Sequence, residues 1–547
     1  MGCPDFSIFS SFGRFASTYL QLIIHNTLKK NILLLGMGII LAGIHSFAQP
    51  LSSPQIDSLV QLTLKTFDVP GISVGVLKDG KLIHSKGYGV QSLNKPVPVT
   101  EKTLFGIASN SKAFTAAALA MLVDEGKLKW DDKVREFIPQ FKLYDPYVTE
   151  AFTIRDLLTH RSGLGLGAGD LMMFPDSSDF TREDIIYNLR FLKPVSEFRT
   201  KYDYDNNLYI VAGEIIAKAS GLSWEDFIEK RFFAPLGMKN SAASISRVKD
   251  RSLLISPHAP VNGKVQAINI DWSETGNAAG GIVSNIEDMS KWILAQLQKG
   301  KYGDSLKNKL YSEEQQQEMW SPQTIIPSFT SPPYNTHFSA YGLGWFLSDV
   351  KGYNQVTHTG GLAGVVTQVT LFPELNLGIV VLTNQQSGAA FTAITNSIKD
   401  AYLSIKGMNR VKQMRDRVDK MEKEAKDILD GVAKQIESQK AKNKAIPDFK
   451  AIEGKYKDNW FGEMEITTRL GKPWLHSIRS PKLRGELQYY KGNTWIVRWQ
   501  DRSFDADAYV QVSFDMDGKA ESLKMNAISP LTDFSFDFHD LDLKKVK

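Results

Sequence analysis

The sequence predicts a mixed chain of helices and antiparallel strands, an α/β protein of the α+β kind, followed by a separate small all-β, barrel-like domain. Three observations predict it. Apolar residues alternate with period two at Ile72, Val74 and Val76, with Asp79-Gly80 as a tight turn and Leu82 to Tyr88 as the returning strand. Helical stretches then lead to a run of Val/Ile/Thr-rich segments at 344–347, 355–359, 365–371 and 378–383, which read as consecutive antiparallel strands. Beyond Ile446-Pro447 the character is β throughout, with turns at Leu470-Gly471-Lys472-Pro473 and Asp517-Gly518.

Taken in order, Lys29-Lys30, the apolar run Ile32 to Ile44 and Ser46-Phe47-Ala48 have the basic, hydrophobic and small-residue parts of a secretory signal. The run is shorter than the ~20 residues of a spanning helix. We therefore expect a signal peptide over 1–48, cleaved after Ala48, and a bacterial chain that is exported, periplasmic or secreted, with no stable membrane insertion once the signal is removed. A helix is expected over Ser52 to Phe67 from Ile56, Leu59, Val60 and Leu64. Thr153-Ile154-Arg155-Asp156 is a capping box that opens a short helix. The glycine-rich 163–169 segment with Leu171 to Phe174 reads equally as a lining or cover for a cleft and as an ordinary surface connection.

Between Val411 and Ile436, apolar residues fall at Val411, Met414, Val418, Met421, Ala425, Ile428 and Val432, a narrow stripe on one long helix. Residues 406–444 hold 12 Lys and Arg against 7 Asp and Glu, an excess equal to the net charge of the whole chain, +5. This segment, 405–446, is expected to be a charged helical linker with one edge packed on a neighbouring domain. In the β-rich part Phe534, Phe536 and Phe538 mark an inward face, and the odd-numbered Leu541 and Leu543 imply a bulge near His539-Asp540.

Composition removes several functions. A 42% apolar content supports large cores, and no Lys/Arg block is interleaved with aromatics, so a nucleic-acid partner is not expected. The single cysteine, Cys3, lies in the expected leader, and the nine histidines show no ligand spacing. No metal and no cofactor are expected. Gly71-Ile72-Ser73-Val74-Gly75 matches G-x-S-x-G, but Ser73 sits inside a strand that runs to a hairpin turn, so it is not a nucleophile elbow. His160 next to Ser162 reads as a structural, hydrogen-bonding histidine.

The chemistry is expected at three separated stretches. Ser109 and Lys112 lie three apart at the start of the alanine-rich segment Ala113 to Val123, so they share a helix face and the Lys112 amine reaches the Ser109 hydroxyl. Tyr204 is a candidate general base, its anionic form favoured beside ammonium or imidazolium groups, with Asn206 orienting Lys112 and donating to substrate. On a strand edge, His358, Thr359, Gly360 and Gly361 approach the bound acyl group. The amides of Ser109 and Gly361 are candidates for an oxyanion hole.

With Ser109-Asn110-Ser111-Lys112, Tyr204-Asp205-Asn206 and His358-Thr359-Gly360 in this order, the chain resembles the serine β-lactamase and penicillin-binding-protein superfamily, in its class C-like branch. Leu157 to Leu164 and Ala279-Gly280-Gly281 add to the resemblance, which covers roughly Gln55 to Leu403 and is assigned to residues 49–404. It implies a β-lactamase/transpeptidase-like antiparallel sheet flanked by helices beside an all-helical region, and acylation of Ser109 by an amide, ester or lactam carbonyl. Two departures stand out: His358 where class C β-lactamases usually have lysine, and Asp205 where they have serine or alanine. A group titrating near pH 6.5 holds a carboxylate less firmly than a permanent cation, and Asp205 adds negative charge beside the site.

The expected function is therefore an exported serine hydrolase for small-molecule or peptide substrates, namely D-amino-acid peptides, peptidoglycan-type peptides or esters. A class C-like β-lactamase is one alternative, and a non-catalytic penicillin-binding or muropeptide-sensing protein is another. Residues 447–547 resemble a lipocalin-like module through Trp499 to Tyr509 and Thr532 to Phe538, and carry no catalytic set. The oligomeric state is not legible in the sequence.

Overall fold

The structure, a computed structural model, describes residues 50–270, 272–328, 330–441 and 447–546. The leader expected over 1–48 lies outside the described residues. The chain first forms helix α1, Ser53–Thr66, opened by a capping box between Ser52 and Gln55. The predicted hairpin follows as β1, Gly71–Lys78, and β2, Lys81–Gly89. Its turn residues Asp79 and Gly80 both have positive φ, 50° and 75°, which suits a two-residue hairpin with right-handed strand twist. Ser73 is buried within β1, and its hydroxyl contacts the Thr100 carbonyl at 3.3 Å.

β1 and β2 join six later strands: β3, Thr324–Ile326; β4, Ser339–Tyr341; β5, Phe346–Val350; β6, Tyr353–Leu362; β7, Val365–Phe372; and β8, Leu377–Thr383. The order is β2-β1-β8-β7-β6-β5-β4-β3, with every neighbouring pair antiparallel. β8 is buried along its whole length, which explains why it reads as a continuous apolar run rather than an alternation.

The first three long helices after the hairpin are α2, Ser111–Asp124; α3, Asn207–Ser220; and α4, Ile286–Leu297. Residues Ser111 to Leu122 of α2 are buried on every side, as expected of a helix with no polar face. Its Phe114 ring stacks on Trp292 of α4 at 4.0 Å and meets Phe232 and Phe233 edge-on. α2 therefore runs through the core, where its alanines allow close approach: Thr115 Oγ1 donates to the Ala278 carbonyl at 2.7 Å.

Helix α5, Gly388–Tyr402, follows β8, and α6, Arg410–Ala441, follows in turn. Residues 400–406 belong to a separate small unit, in which the Ile405 amide donates to the Asp400 carbonyl at 2.9 Å. The stripe of α6 is covered only in part. Val411, Ala425, Val432 and Ile436 are buried, the last two against Ile496 and Ile528, while Met421 and Ile428 are exposed.

The C-terminal strands are β9, Gly454–Asp458; β10, Gly462–Arg469; β11, Lys472–Ser477; β12, Arg484–Lys491; β13, Thr494–Trp499; β14, Ala508–Phe514; β15, Ala520–Ala527; and β16, Leu543–Lys545. They close into an eight-stranded antiparallel barrel, β16 pairing with both β15 and β9. The expected inward-facing strand through Phe534 and Phe536 is not formed. Residues 529–537 run as an irregular strap, Phe538–Asp540 is a 3₁₀ turn, and the phase slip at Leu541 marks that turn rather than a bulge.

Candidate active site

Ser109 lies in a 3₁₀ turn, Ala108–Asn110, that runs directly into α2. Ala108 has φ 50°, a left-handed conformation that is costly for a residue with a Cβ and is held here by its surroundings. Thr367 on β7 donates to the Ile107 carbonyl at 2.9 Å, and Asn110 Nδ2 donates to Thr367 Oγ1 at 2.9 Å. Ser111 anchors the turn as well: its buried hydroxyl accepts the Ile282 amide at 3.1 Å.

Lys112 is fully buried. Its Nζ is 3.1 Å from Ser109 Oγ, 2.7 Å from Asn206 Oδ1 and 3.0 Å from the Ala279 carbonyl. Asn206 Nδ2 donates to the Asp170 carboxylate at 2.8 Å, which fixes the amide with its oxygen towards Lys112. Burial pushes the Lys112 pKa down to about 7, against the pull of Asp170 and Asp205. A neutral amine has two N–H groups and one lone pair. Asn206 Oδ1 and the Ala279 carbonyl can only accept, so they take both N–H groups and leave the lone pair for the Ser109 hydroxyl. Asp170 takes one of the two N–H groups of Asn206 Nδ2, which leaves the second for the expected donation to a substrate in the cavity that Asn206 borders.

The Tyr204 hydroxyl hydrogen-bonds with Ser109, and Lys112 Nζ lies 4.8 Å from the centre of the Tyr204 ring. Burial raises the Tyr204 pKa well above that of a free phenol, which overturns the expectation of a favoured phenolate. His160 supports the ring from behind, with centroids 4.2 Å apart, and accepts the Asp205 amide on Nδ1 at 3.1 Å. It forms no dyad with Ser162. Asp205 is buried and accepts the Leu208 amide near the start of α3, so it does not present charge to a substrate.

His358 also departs from expectation. It is 1% exposed, Tyr341 donates to its Nε2 at 2.9 Å, and its Nδ1 donates to the Thr359 carbonyl at 2.6 Å. Burial, and then the charge of Lys112, push its pKa down to about 3, so the ring is neutral at physiological pH and no cation replaces the missing lysine. Beyond Thr357, β6 runs past the end of β5, leaving Thr359 to Gly361 beside the Ser109 turn. A Cβ on Gly360 would lie 2.3 Å from the Ile107 carbonyl and 2.6 Å from Thr367 Oγ1. Gly360 thus sets the spacing between strand and turn rather than touching a ligand. A Cβ on Gly361 would meet nothing within 4 Å and would point into open space.

That space is a cavity of about 680 Å³ bordered by Ser109, Tyr204, Asn206, His358, Thr359 and Gly361. Its far walls are largely apolar, with Lys482, Asp501 and Asp533 among them on the barrel side. Leu166, Met173 and Phe174 come from the glycine-rich segment and its continuation, and Phe504, Phe534 and Phe536 come from the barrel. Sequence reasoning missed the barrel's share, and it missed Asp170, Tyr341 and Phe346. The only signal was the dense Phe/Asp pattern of 533–538, which looks like a strand. Among the described residues no group of His, Cys, Asp and Glu could hold a metal, and no helix is long and apolar enough to cross a membrane.

Comparison with known proteins gives two family matches: Beta-lactamase over residues 56–402, and Domain of unknown function (DUF3471) over 439–545. The chain is 30% identical over 357 residues to unguisins hydrolase ungD' of Aspergillus campestris, covering 63% of this chain and 65% of that protein. It is 28% identical over 352 residues to Protein flp of Staphylococcus aureus, covering 61% and 64%. The chain thus spans just under two thirds of the length of these curated relatives. Among solved structures, the octameric penicillin-binding protein homologue from Pyrococcus abyssi has a TM-score of 0.58 at 22% identity, over 90% of this chain and 100% of that one. A class C beta-lactamase has a TM-score of 0.52 at 22% identity, over 65% and 96%. At that identity the two structures speak for the fold alone.

Proposed function

The chain belongs to the serine β-lactamase and penicillin-binding-protein superfamily, and from that membership we propose that it is an exported serine hydrolase that forms an acyl-enzyme on Ser109. The observation that carries this reading is the hydrogen-bond set of Lys112, which leaves the amine lone pair for the Ser109 proton. In the proposed cycle Lys112 takes that proton as Ser109 Oγ attacks the carbonyl carbon. The amides of Ser109 and Gly361 receive the developing oxyanion. Tyr204, held as a neutral phenol at Ser109, hands a proton to the departing amine or alcohol and recovers one from Lys112. Water, activated by the same pair, then releases the acyl group.

The preferred substrates are uncharged amides or esters, including D-amino-acid and peptidoglycan-type peptides presented without a free carboxylate at His358. Two features support this: the neutral His358, and the apolar walls from Leu166, Met173, Phe174 and Phe534. Efficient β-lactam turnover is disfavoured on the same ground, since a lactam carboxylate finds no cation at position 358.

The test is labelling by a fluorescent phosphonate together with hydrolysis of p-nitrophenyl esters, D-amino-acid amides and a chromogenic cephalosporin. Ser109→Ala should lose labelling and lower turnover by about 10³-fold or more. Equal labelling of wild type and variant would reject the Ser109 acyl-enzyme. Tight muropeptide binding with no turnover of any substrate would favour a sensor instead.

A further inference from the structure

The strap that leaves the barrel after β15 grips the loop behind the active site. Asp537, fully buried, accepts the Gly169 amide on Oδ2 at 2.7 Å and the Leu171 amide on Oδ1 at 3.0 Å. Ser535 Oγ donates to Asp170 Oδ2 at 2.9 Å. Phe534 meets the Tyr204 ring edge-on, with centroids 5.8 Å apart, and a Cβ on Gly167 would lie 2.8 Å from both its Cδ2 and its carbonyl oxygen. The bonds around Asp170 form one chain running from the barrel to the nucleophile: Ser535 donates to Asp170, Asn206 donates to the same Asp170 oxygen, and Lys112 donates to Asn206.

We infer that Ser535 is a positioning residue for Lys112, so that the barrel completes the catalytic centre of the preceding domain. The physical reason is directional. The Asn206 side chain is an amide whose two ends differ, and only its oxygen can take an N–H from Lys112. Which end faces Lys112 is decided by the Asp170 oxygen that holds the amino end. Oδ1 of Asp170 has no hydrogen-bond partner among the described residues, so this buried carboxyl is oriented by Asn206 and Ser535 at a single oxygen. Without the Ser535 hydroxyl, the carboxyl can rotate and the Asn206 amide can turn its amino group to Lys112. The Lys112 lone pair is then drawn to that donor and away from Ser109. Asn206 and Ser535 border the cavity but carry no reacting atom, and Lys112 serves both acylation and deacylation, so the effect falls on those two rates more than on ground-state binding.

The inference rests on Ser109 and Lys112 acting as proposed, and full-length Ser535→Ala, Ser535→Cys, Ser535→Thr and Ser109→Ala separate the two ideas. With p-nitrophenyl acetate, Ser535→Ala and the nearly isosteric but weakly donating Ser535→Cys should lower kcat by about 10- to 100-fold. KM should change less than about twofold in both. Ser535→Thr, which keeps the hydroxyl, should retain most of kcat. Phosphonate labelling of Ser109 should slow by the same factors as kcat. If the alanine variant fails to fold, the cysteine variant carries the comparison. Wild-type kcat in the alanine or cysteine variant overturns the inference, and so do losses in all three variants that simply follow their melting temperatures. Full turnover by Ser109→Ala would instead reject the acyl-enzyme reading itself.

Discussion

Lys112 shows how burial turns an ordinary side chain into a reagent. Its amine, brought down to about 7, loses its proton in the physiological range, and Asp205, raised to about 7 by burial, titrates in the same field. The sign follows from the role: acylation needs the unprotonated amine, so kcat/KM for a neutral ester should rise as pH increases through about 7. Asp205→Asn removes a negative charge that favours the ammonium form, so the inflection should move to lower pH. His358, near 3, contributes no inflection between pH 5 and 8. A stopped-flow or chromogenic pH series checks all three statements, and a fall in kcat/KM from pH 6 to 7 that His358→Lys removes would contradict them. At this scale the pairing of Ser109 with Lys112 was legible in the sequence, because both are local to one turn, whereas the distant partners Asp170 and Tyr341 were not. Nor were the protonation states. The sequence places His358 and Tyr204 near cations, but only the packed structure shows that loss of water outweighs those charges.

Strand β6 illustrates what a pattern can and cannot carry. Its Val and Thr content marked it as a strand, yet nothing in His358-Thr359-Gly360-Gly361 distinguishes the two glycines. The structure does. Gly360→Ala must push the strand from the Ile107 carbonyl and should destabilise the protein by about 2 to 4 kcal/mol, with loss of activity. Gly361→Ala should melt like wild type, while its methyl group projects into the cavity and raises KM for bulky esters more than for acetate. Thermal melts and ester kinetics on the two variants decide this, and equal melting temperatures for both would refute it. The capping box at Thr153 and the Asp79-Gly80 turn were readable because their signals are local. The strap at 529–537 was misread because alternating Phe and Asp imitate a strand when partners from elsewhere in the chain are unknown.

At the scale of the molecule, the barrel is tied to the domain before it by more than the strap. Arg479 stacks over Phe180 at 3.8 Å and pairs with Asp179 at 2.6 Å and Asp184 at 2.7 Å, while Asn188 Nδ2 donates to the Trp460 carbonyl at 2.9 Å. Two domains joined by a tether alone would melt separately, whereas these contacts couple them. Calorimetry should therefore show a single transition, and Arg479→Ala should lower stability by about 1 to 2 kcal/mol, or about 1 to 3 °C in Tm. A separate barrel peak in the wild-type protein would refute the coupling. This junction could not be read from composition, because Asp179, Asp184 and Arg479 look like ordinary surface charges until the fold brings them together.

The bond between Ser535 and Asp170 also has a meaning in time. The two residues are 365 positions apart, so a ribosome releases Asp170, Ser109 and Lys112 long before it releases Ser535. Domains fold as they emerge, the first-made part first. With Ser535 needed to aim Lys112, the nucleophile of a nascent or prematurely terminated chain stays poorly activated. On that proposed role, most of the hydrolytic power arrives once the strap has closed on the loop at Gly169 to Leu171, so synthesis through Ser535 raises activity by about 10- to 100-fold.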